Sequence, residues 1–414
     1  LCMGSDLPSA GNLGDSDTSE PIAAGPVAAL AAEKGEKDDP FPATNDSRSA
    51  PMKVLQVTGM YSTKYGGMEK FFIELLDQGV ELSVVYNNTP QPETYRNELE
   101  RRHAGIYTVH GNILQRCWQT YRIIRRERPE IVHYHFGFTV YVLFLPVRLF
   151  LPHTKQLLTQ HCEYLYENPL MRLATKLCYR SLDLVTSVSE EVRKRLVSKI
   201  GDSPKFTVSY LGVGKKEIRN KNMKADLNIP AECLVLTSIG FDIHVKGFDV
   251  LAQAVCLLKG RNDLPDFRII IIGLSESEDE KFRAITEVWN VSDRFLSVGI
   301  RNDIDDFLSM TDVYLQPSRS EAISLSIMEA LMYGLPVIGS DVGGISEACI
   351  PGYNGILTPQ GDPDELALAI LKLITDSGLR TRFGDNSRIH AANFRLDANA
   401  GRLIATYRNL LKRP

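Results

Sequence analysis

Long apolar runs are missing from this chain. A membrane-spanning helix needs about 20 predominantly apolar residues. The nearest stretch, Phe138 to Leu151, is interrupted by Pro146 and Arg148, so no spanning helix is expected. A one-sided charge is missing too. The formal net charge is −4, which gives no global reason to bind nucleic acid, and no nucleic-acid partner is expected. Cysteine is sparse and unpaired in pattern: the 7 cysteines are odd in number and scattered. That argues against a disulfide framework or a structural zinc site and fits a reducing, cytoplasmic setting. The G-x-G-x-x-G fingerprint is absent from the first strand–turn–helix, so no nicotinamide cofactor follows.

What is present suits two α/β domains. The length of 414 residues is ample for two, and 43% hydrophobic with 24% charged residues is ordinary for a soluble globular chain. Residues 1–51 differ from the rest. They are rich in Ala, Gly, Pro, Ser, Asp and Glu, with Phe41 as their only aromatic, and they read as a disordered tail or fusion remnant. From Met52 onward, strands and helices alternate. Lys53 to Thr58 reads as a buried strand, followed by a turn with Gly66 and Gly67 and a helix with Phe72, Leu75 and Leu76. Strands follow at Leu82–Tyr86, Ile131–His135, Leu157–Gln160 and Asp183–Ser189, and a basic helix at Ile113–Arg128. His133 and His135 lie at strand spacing and point to one face, without further ligands at zinc spacing. The polar run 215–224 reads as a linker. The alternation then restarts: Leu234–Ile239, a helix over Asp249–Leu258, Phe267–Ile272 and Phe295–Val298. The chain ends on a helix over Leu396–Leu411 with Leu403, Tyr407, Leu410 and Leu411 on one face. The expected domains are 52–214, 215–393 and a terminal helix from 394 to 414.

The most informative stretch runs from Pro317 to Glu347. A polar turn carries Glu321. Ile327, Met328, Leu331 and Met332 follow at helical spacing, Gly334 and Pro336 stop that helix, and Val337–Ile338 reads as a strand before Asp341, Gly343 and Gly344. Two carboxylates, Glu321 and Glu329, stand eight residues apart. Glu329 sits among apolar residues, which is an odd place for a merely solvated charge. A helix N-terminus here aims unpaired N–H groups outward, and that suits a phosphate.

This stretch resembles the E-x7-E segment of retaining GT-B glycosyltransferases of family 4 (glycosyl transferases group 1), and the likeness extends from Met52 to the end. The resemblance implies two Rossmann-like domains facing across a cleft, with the last helix crossing back to the first domain. It implies that Glu321 touches donor-sugar hydroxyls, that Glu329 holds the ribose diol, and that backbone amides at Ile323, Ser324 and Leu325 face the sugar and distal phosphate. Gly66 and Gly67 are placed against the donor phosphates, His161 near the anomeric carbon and 6-hydroxyl, and Lys246 on the diphosphate. Gly273 lies under the nucleotide, and Ile300 with Arg301 beside the base. The chain departs from the family pattern twice: Phe241 stands where an arginine is usual, and Gly214 where an aspartate is.

Two Asp-x-Asp strings, Asp303–Asp305 and Asp362–Asp364, read as helix starts, the second as a capping box with Pro363 at the first helical position. No metal site is expected. The function the resemblance implies is retaining, metal-independent transfer of a hexose or N-acetylhexosamine from a UDP- or GDP-sugar to a glycan or lipid-linked acceptor, in cell-envelope or surface polysaccharide synthesis. An epimerase of the same fold, or a non-catalytic nucleotide-sugar-binding protein, are the alternatives. Arg116, Arg122, Arg125, Arg126 and Arg128 with Trp118 suit either peripheral contact with an anionic membrane on its cytoplasmic face or a solvated helix face.

Overall fold

The computed structural model describes residues 51–413 apart from 61, 63, 64, 136–138, 162–168, 215–217, 221 and 262. The expected tail up to residue 50, parts of the turn before Gly66 and of the 215–224 linker, and the terminal residue lie outside the described residues.

Among the described residues, thirteen strands form two sheets. β1 (Lys53–Val57), β2 (Glu81–Tyr86), β3 (Gly105–Thr108), β4 (Ile131–Tyr134), β5 (Lys155–Gln160), β6 (Leu184–Ser187) and β7 (Phe206–Val208) make the first, in the order β3-β2-β1-β4-β5-β6-β7. β8 (Leu234–Ile239), β9 (Phe267–Ile272), β10 (Phe295–Ser297), β11 (Val313–Gln316), β12 (Val337–Ser340) and β13 (Gly355–Thr358) make the second, in the order β10-β9-β8-β11-β12-β13. Every pairing is parallel. In both sheets the strand order reverses beside the first strand, between β1 and β4 and between β8 and β11. Such switch points open a crevice at the carboxyl ends of the strands, where ligands bind.

Burial explains the apolar strand sequences. Helices cover both faces of each sheet, so strands such as Phe267–Ile272 are apolar almost throughout. On the first sheet, Val54, Ile131, Leu157 and Leu184 face the helices Gly67–Asp77 and Leu396–Lys412. Leu55, Val132, Leu158 and Val185 face the opposite way, in the core shared with the helices between β3 and β7. The last helix therefore belongs to the first sheet's core, through Ala400, Leu403, Ile404, Tyr407 and Leu410. The chain crosses between the two sheets twice, and the crossings are bonded to each other: Val213 N–H donates to Phe394 O at 2.8 Å and Leu396 N–H to Val213 O at 3.0 Å.

Some local expectations need correction. Asp303 stands at the start of the Ile304–Ser309 helix but caps no backbone N–H; its carboxylate is drawn off by Arg301 at 2.6 and 2.9 Å. Asp362 does cap, accepting from Asp364 and Glu365 N–H at 3.1 and 3.0 Å, but its capping box is one-sided. Cys117, Cys178, Cys233 and Cys349 are free and buried.

Replacing Leu403 by Ala should test the docking of the last helix. The loss is expected to be roughly 2–5 kcal/mol, read as a lower urea midpoint at unchanged slope. An unchanged midpoint would mean that the helix is not part of the first core.

Candidate active site

The carboxyl edge of the second sheet brings a lysine and a glutamate together. After β8 the chain makes one helical turn, Ile243–Lys246, capped by Asp242, which accepts from Val245 N–H at 2.7 Å. The Lys246 stem lies flat on Gly240; a Cβ there would sit 2.4 Å from Lys246 Cγ. After β11 the chain turns through Ser318 to Glu321. Lys246 Nζ meets Glu321 Oε1 at 2.5 Å, with both side chains nearly buried, at 13% and 11% exposure. A buried ion pair is tolerable only if its remaining polar atoms are satisfied. Here Gln316 Nε2 and Ser318 Oγ also donate to Glu321 Oε1, at 3.1 and 3.2 Å. The Gln316 carbonyl accepts in turn from Tyr314 at 2.9 Å and Ser326 at 3.1 Å.

Glu329 lies on the next helix, Leu325–Met332, whose N-cap Ser324 accepts from Ile327 N–H at 3.4 Å. Glu329 and Glu321 both help, after burial, to push the Tyr314 phenol up, so the two carboxylates converge on one side chain. Glu329 Oε1 is 3.8 Å from Lys70 Nζ of the Gly67–Asp77 helix, an ion pair across the cleft. Gly66 and Gly67 open that same helix, with the Gly66 N–H held by Glu69 at 3.1 Å. A Cβ on Gly67 would lie 2.5 Å from Leu325 Cδ1. The structure thus brings Gly66, Gly67, Leu325 and Glu329 to one place, beside Lys246 and Glu321.

Gly273 packs on the Gly240 carbonyl and donates to Gly299 O at 2.7 Å, joining the ends of β8, β9 and β10. Beyond that turn, Ile300 is 76% exposed and lines a cavity of about 320 Å³ with Arg301, Asp303, Asp305 and Arg219. Phe241 is exposed. An arginine that bonds the Lys246 turn is Arg319, which sequence reasoning missed. It grips Asp249 at 2.7 Å through both terminal nitrogens and donates to His244 O at 2.7 Å, so it braces the turn that carries Lys246. Only its place beside Ser318 in the Glu321 turn hinted at this.

His161 follows β5 and is half-buried, and burial pulls its imidazole down to about 3. It bonds His135 at 2.9 Å, and the His133 and His135 rings lie 4.2 Å apart. Among the described residues, no three His, Cys, Asp or Glu form a group able to hold a metal ion. Glu347 was also missed. From the second half it accepts the N–H groups of Glu190 and Glu191 at 2.9 and 3.0 Å, and the Tyr210 hydroxyl at 2.7 Å. A carboxylate at the N-terminus of the Glu190–Ile200 helix is favoured by that helix's dipole.

Comparison with known proteins agrees with this layout. Residues 65–215 match the family described as Glycosyltransferase Family 4, and residues 219–390 match Glycosyl transferases group 1. The chain belongs to glycosyltransferase family 4. It is a glycosyltransferase of the GT-B fold. It is 24% identical over 339 residues to LpsE of Rhizobium meliloti, a lipopolysaccharide core biosynthesis glycosyltransferase, covering 80% of this chain and 92% of that protein. It is 27% identical over 243 residues to the D-inositol 3-phosphate glycosyltransferase of Streptomyces bingchenggensis, of which it spans about half (53%), over 56% of this chain. Anabaena HepE, solved in complex with UDP, superposes with a TM-score of 0.74 at 18% identity, over 86% of this chain and all of that one (100%).

Gly343 tests the geometry. Its φ is +53°, and a Cβ would lie 1.5 Å from Glu321 O. In this glycosyltransferase Gly343→Ala should displace the Glu321 turn and cost most of the turnover. Gly352→Ala has a φ of +75° and nothing within 4 Å, so it should cost only backbone strain and leave turnover intact. Equal activity of the two variants would separate Gly343 from the site.

Proposed function

We propose that this glycosyltransferase moves a hexose or N-acetylhexosamine, with retention of anomeric configuration, from a nucleoside-diphosphate sugar to a glycan or lipid-linked acceptor of the cell envelope. The observation that carries the reading is the buried Lys246–Glu321 pair at the strand ends, with Glu329 on the adjoining helix. Lys246 has three N–H donors and Glu321 occupies one, so the ammonium can also bond a diphosphate oxygen. Charge develops on that diphosphate as the sugar leaves, and a cation already fixed in place stabilises it without reorganisation. The helix N-terminus at Ile323–Leu325 adds N–H groups for the distal phosphate. Glu321 accepts from sugar hydroxyls and Glu329 from the ribose diol, with Gly66 and Gly67 close to the phosphates, Gly273 under the nucleotide, His161 near the sugar, and Ile300 and Arg301 at the base. No metal takes part in this reading. The UDP in HepE favours UDP over GDP, and LpsE's role in lipopolysaccharide core synthesis favours an envelope acceptor.

The test separates the two glutamates. Glu329→Ala should weaken UDP binding by roughly 1–3 kcal/mol, measured by titration calorimetry. Glu321→Ala should keep UDP affinity and lose turnover. An equal loss of affinity in both variants would sink this division.

A peripheral membrane site on the cytoplasmic face belongs to the same reading. No helix among the described residues is long and apolar enough to cross a membrane. Yet Leu114 and Trp118 on the Ile113–Glu127 helix, Leu145 and Leu149 on the Thr139–Phe150 helix, and Leu170, Leu173 and Leu177 on the Pro169–Ser181 helix are all more than half exposed. Arg116, Arg122, Arg125, Arg126, Arg148, Arg172, Lys176 and Arg180 share those helices with one acid, Glu127, which pairs with Lys53 at 3.2 Å. Apolar side chains ringed by cations suit anionic lipid. The protein should float with phosphatidylglycerol vesicles, less so in high salt, and not with phosphatidylcholine alone. Leu149→Asp with Leu173→Asp should abolish flotation; retention by that variant would dismiss the surface.

A further inference from the structure

Three segments meet behind the Glu321 turn, and one of them comes from the other half of the chain. The Gly343–Gly344 corner lies against the turn so closely that a Cβ on Gly343 would collide with Glu321 O, and one on Gly344 with Ala322 O. The same Cβ on Gly344 would lie 3.1 Å from Ser189 Cβ. Ser189 belongs to the first half, at the start of the Glu190–Ile200 helix, and its hydroxyl donates to Ala322 O at 2.7 Å. The first half therefore rests both on the residue next to Glu321 and on the corner that supports it.

Glu347, just past that corner, fastens the first half there. A helix begins with N–H groups that have no partner inside the helix. Of the first three in the Glu190–Ile200 helix, Val192 N–H donates to Ser189 Oγ at 3.2 Å. The other two, of Glu190 and Glu191, donate to the two carboxylate oxygens of Glu347 at 2.9 and 3.0 Å. The grip is bidentate, charge-assisted and favoured by the helix dipole. The side chains of Glu190 and Glu191 are drawn off by Arg193 and Arg195, at 2.8 and 2.6 Å. Glu347 is itself held at both ends. Its carboxylate accepts from the Tyr210 hydroxyl at 2.7 Å, and burial with Glu347 alongside pushes that phenol up, so it keeps its proton. Its backbone carbonyl, which can only accept, takes a hydrogen bond from His390 Nε2 at 2.8 Å. The Tyr210 and His390 rings both meet Phe394 edge-on, at 5.6 and 5.1 Å between centroids, beside the chain crossing at Val213.

We infer that Glu347 is a positioning residue: it clasps the first half to the back of the Glu321 turn, and the clasp fixes where the Glu321 carboxylate stands. The inference deepens the proposed function, on which it rests for the role of Glu321 at the sugar. Glu347 itself touches neither donor nor acceptor in this scheme; it acts through Ser189, Ala322 and the Gly343–Gly344 corner. The Lys246–Glu321 pair and the Glu329 helix lie wholly in the second half, so nucleotide binding does not need the clasp. Placing the Glu321 carboxylate against the sugar does.

The turn is read without turnover, by residue-resolved hydrogen exchange of the full chain. Arg319 N–H, in the Glu321 turn, donates to Val245 O at 2.8 Å and reports on that turn. Glu347→Ala should speed exchange at Arg319 as well as at Glu190 and Glu191. It should lower kcat by roughly tenfold to a hundredfold, the worth of one charged hydrogen bond, and leave UDP affinity nearly unchanged. Glu347→Gln keeps a carbonyl acceptor and should fall between Glu347→Ala and the native chain in both readouts. Ser189→Ala removes the direct link to Ala322, and its effect on kcat should be less than multiplicative with that of Glu347→Ala. Unchanged exchange at Arg319 in folded Glu347→Ala or Glu347→Gln protein overturns the inference, whatever the activity. A matched fall in kcat and UDP affinity overturns it too, because the clasp would then shape the donor pocket as a whole. Faster exchange at Arg319 with kcat intact leaves the clasp standing and removes Glu321 from the sugar, which is a failure of the proposed function instead.

Discussion

The Glu321 carboxylate must face Lys246 while its own carbonyl lies under Gly343, and those two demands shape the carboxyl edge of the second sheet. Neither charge is affordable in that place alone, since an unpaired buried ion loses its hydration without return. Paired, they form a neutral unit that can be built before any ligand arrives. Three close approaches keep the pair in register. Gly240 lies under the lysine stem, Gly247 against Pro317 O, and Gly343 against Glu321 O. Arg319 then braces the lysine turn from the glutamate's own loop. The absence of the usual arginine at Phe241 is intelligible in this light. A second cation beside Lys246 would compete for Glu321, whereas here Lys246 pairs with Glu321, Arg319 with Asp249 and Arg301 with Asp303.

The seam between the two halves is built unequally. At one end Glu347 receives two backbone N–H groups and a tyrosine hydroxyl, Ser189 donates to Ala322 O at 2.7 Å, and the two chain crossings bond each other. At the other end, over the strand switch points, the described residues include the Lys70–Glu329 pair at 3.8 Å, with both side chains about 30% exposed. An exposed ion pair of that length is worth about 0–1 kcal/mol. The shorter contacts across the seam, among the described residues, therefore gather at the Glu347 end.

Much of this was legible from residue spacing. The period of Ile327, Met328, Leu331 and Met332 located the Leu325–Met332 helix, and the apolar runs at 234–239 and 267–272 located β8 and β9. Elements with weaker patterns escaped: β3 and β13 are short and only partly buried, and β11 is hidden by its own exit into the Glu321 turn. That Lys246, Glu321 and Glu329 come together was legible through the family resemblance, which implied one shared place for the three. The site was not legible where the chemistry comes from distant segments. Nothing near Arg319 in the chain names Asp249, and nothing near Glu347 names the helix at Glu190. Asp303 shows the converse failure: a good capping residue is taken by an arginine two positions away.

The polar row in the first sheet was half legible. His133 and His135 announced a shared face by their spacing, but the reason for them lies in the last helix, far along the chain. An all-parallel sheet buried on both sides favours unbroken apolar strands, so each polar substitution in it needs a partner. One partner per group is enough only if the donors all run the same way. The contacts run without a break from His161 through His135, Gln56, Tyr407 and His133 to Thr159 and Thr186. A buried network of this kind is favourable when complete and costly when one member is lost. The crossing helix thus contributes more than apolar area to the first core: its Tyr407 hydroxyl joins a polar row that reaches His161 just past β5.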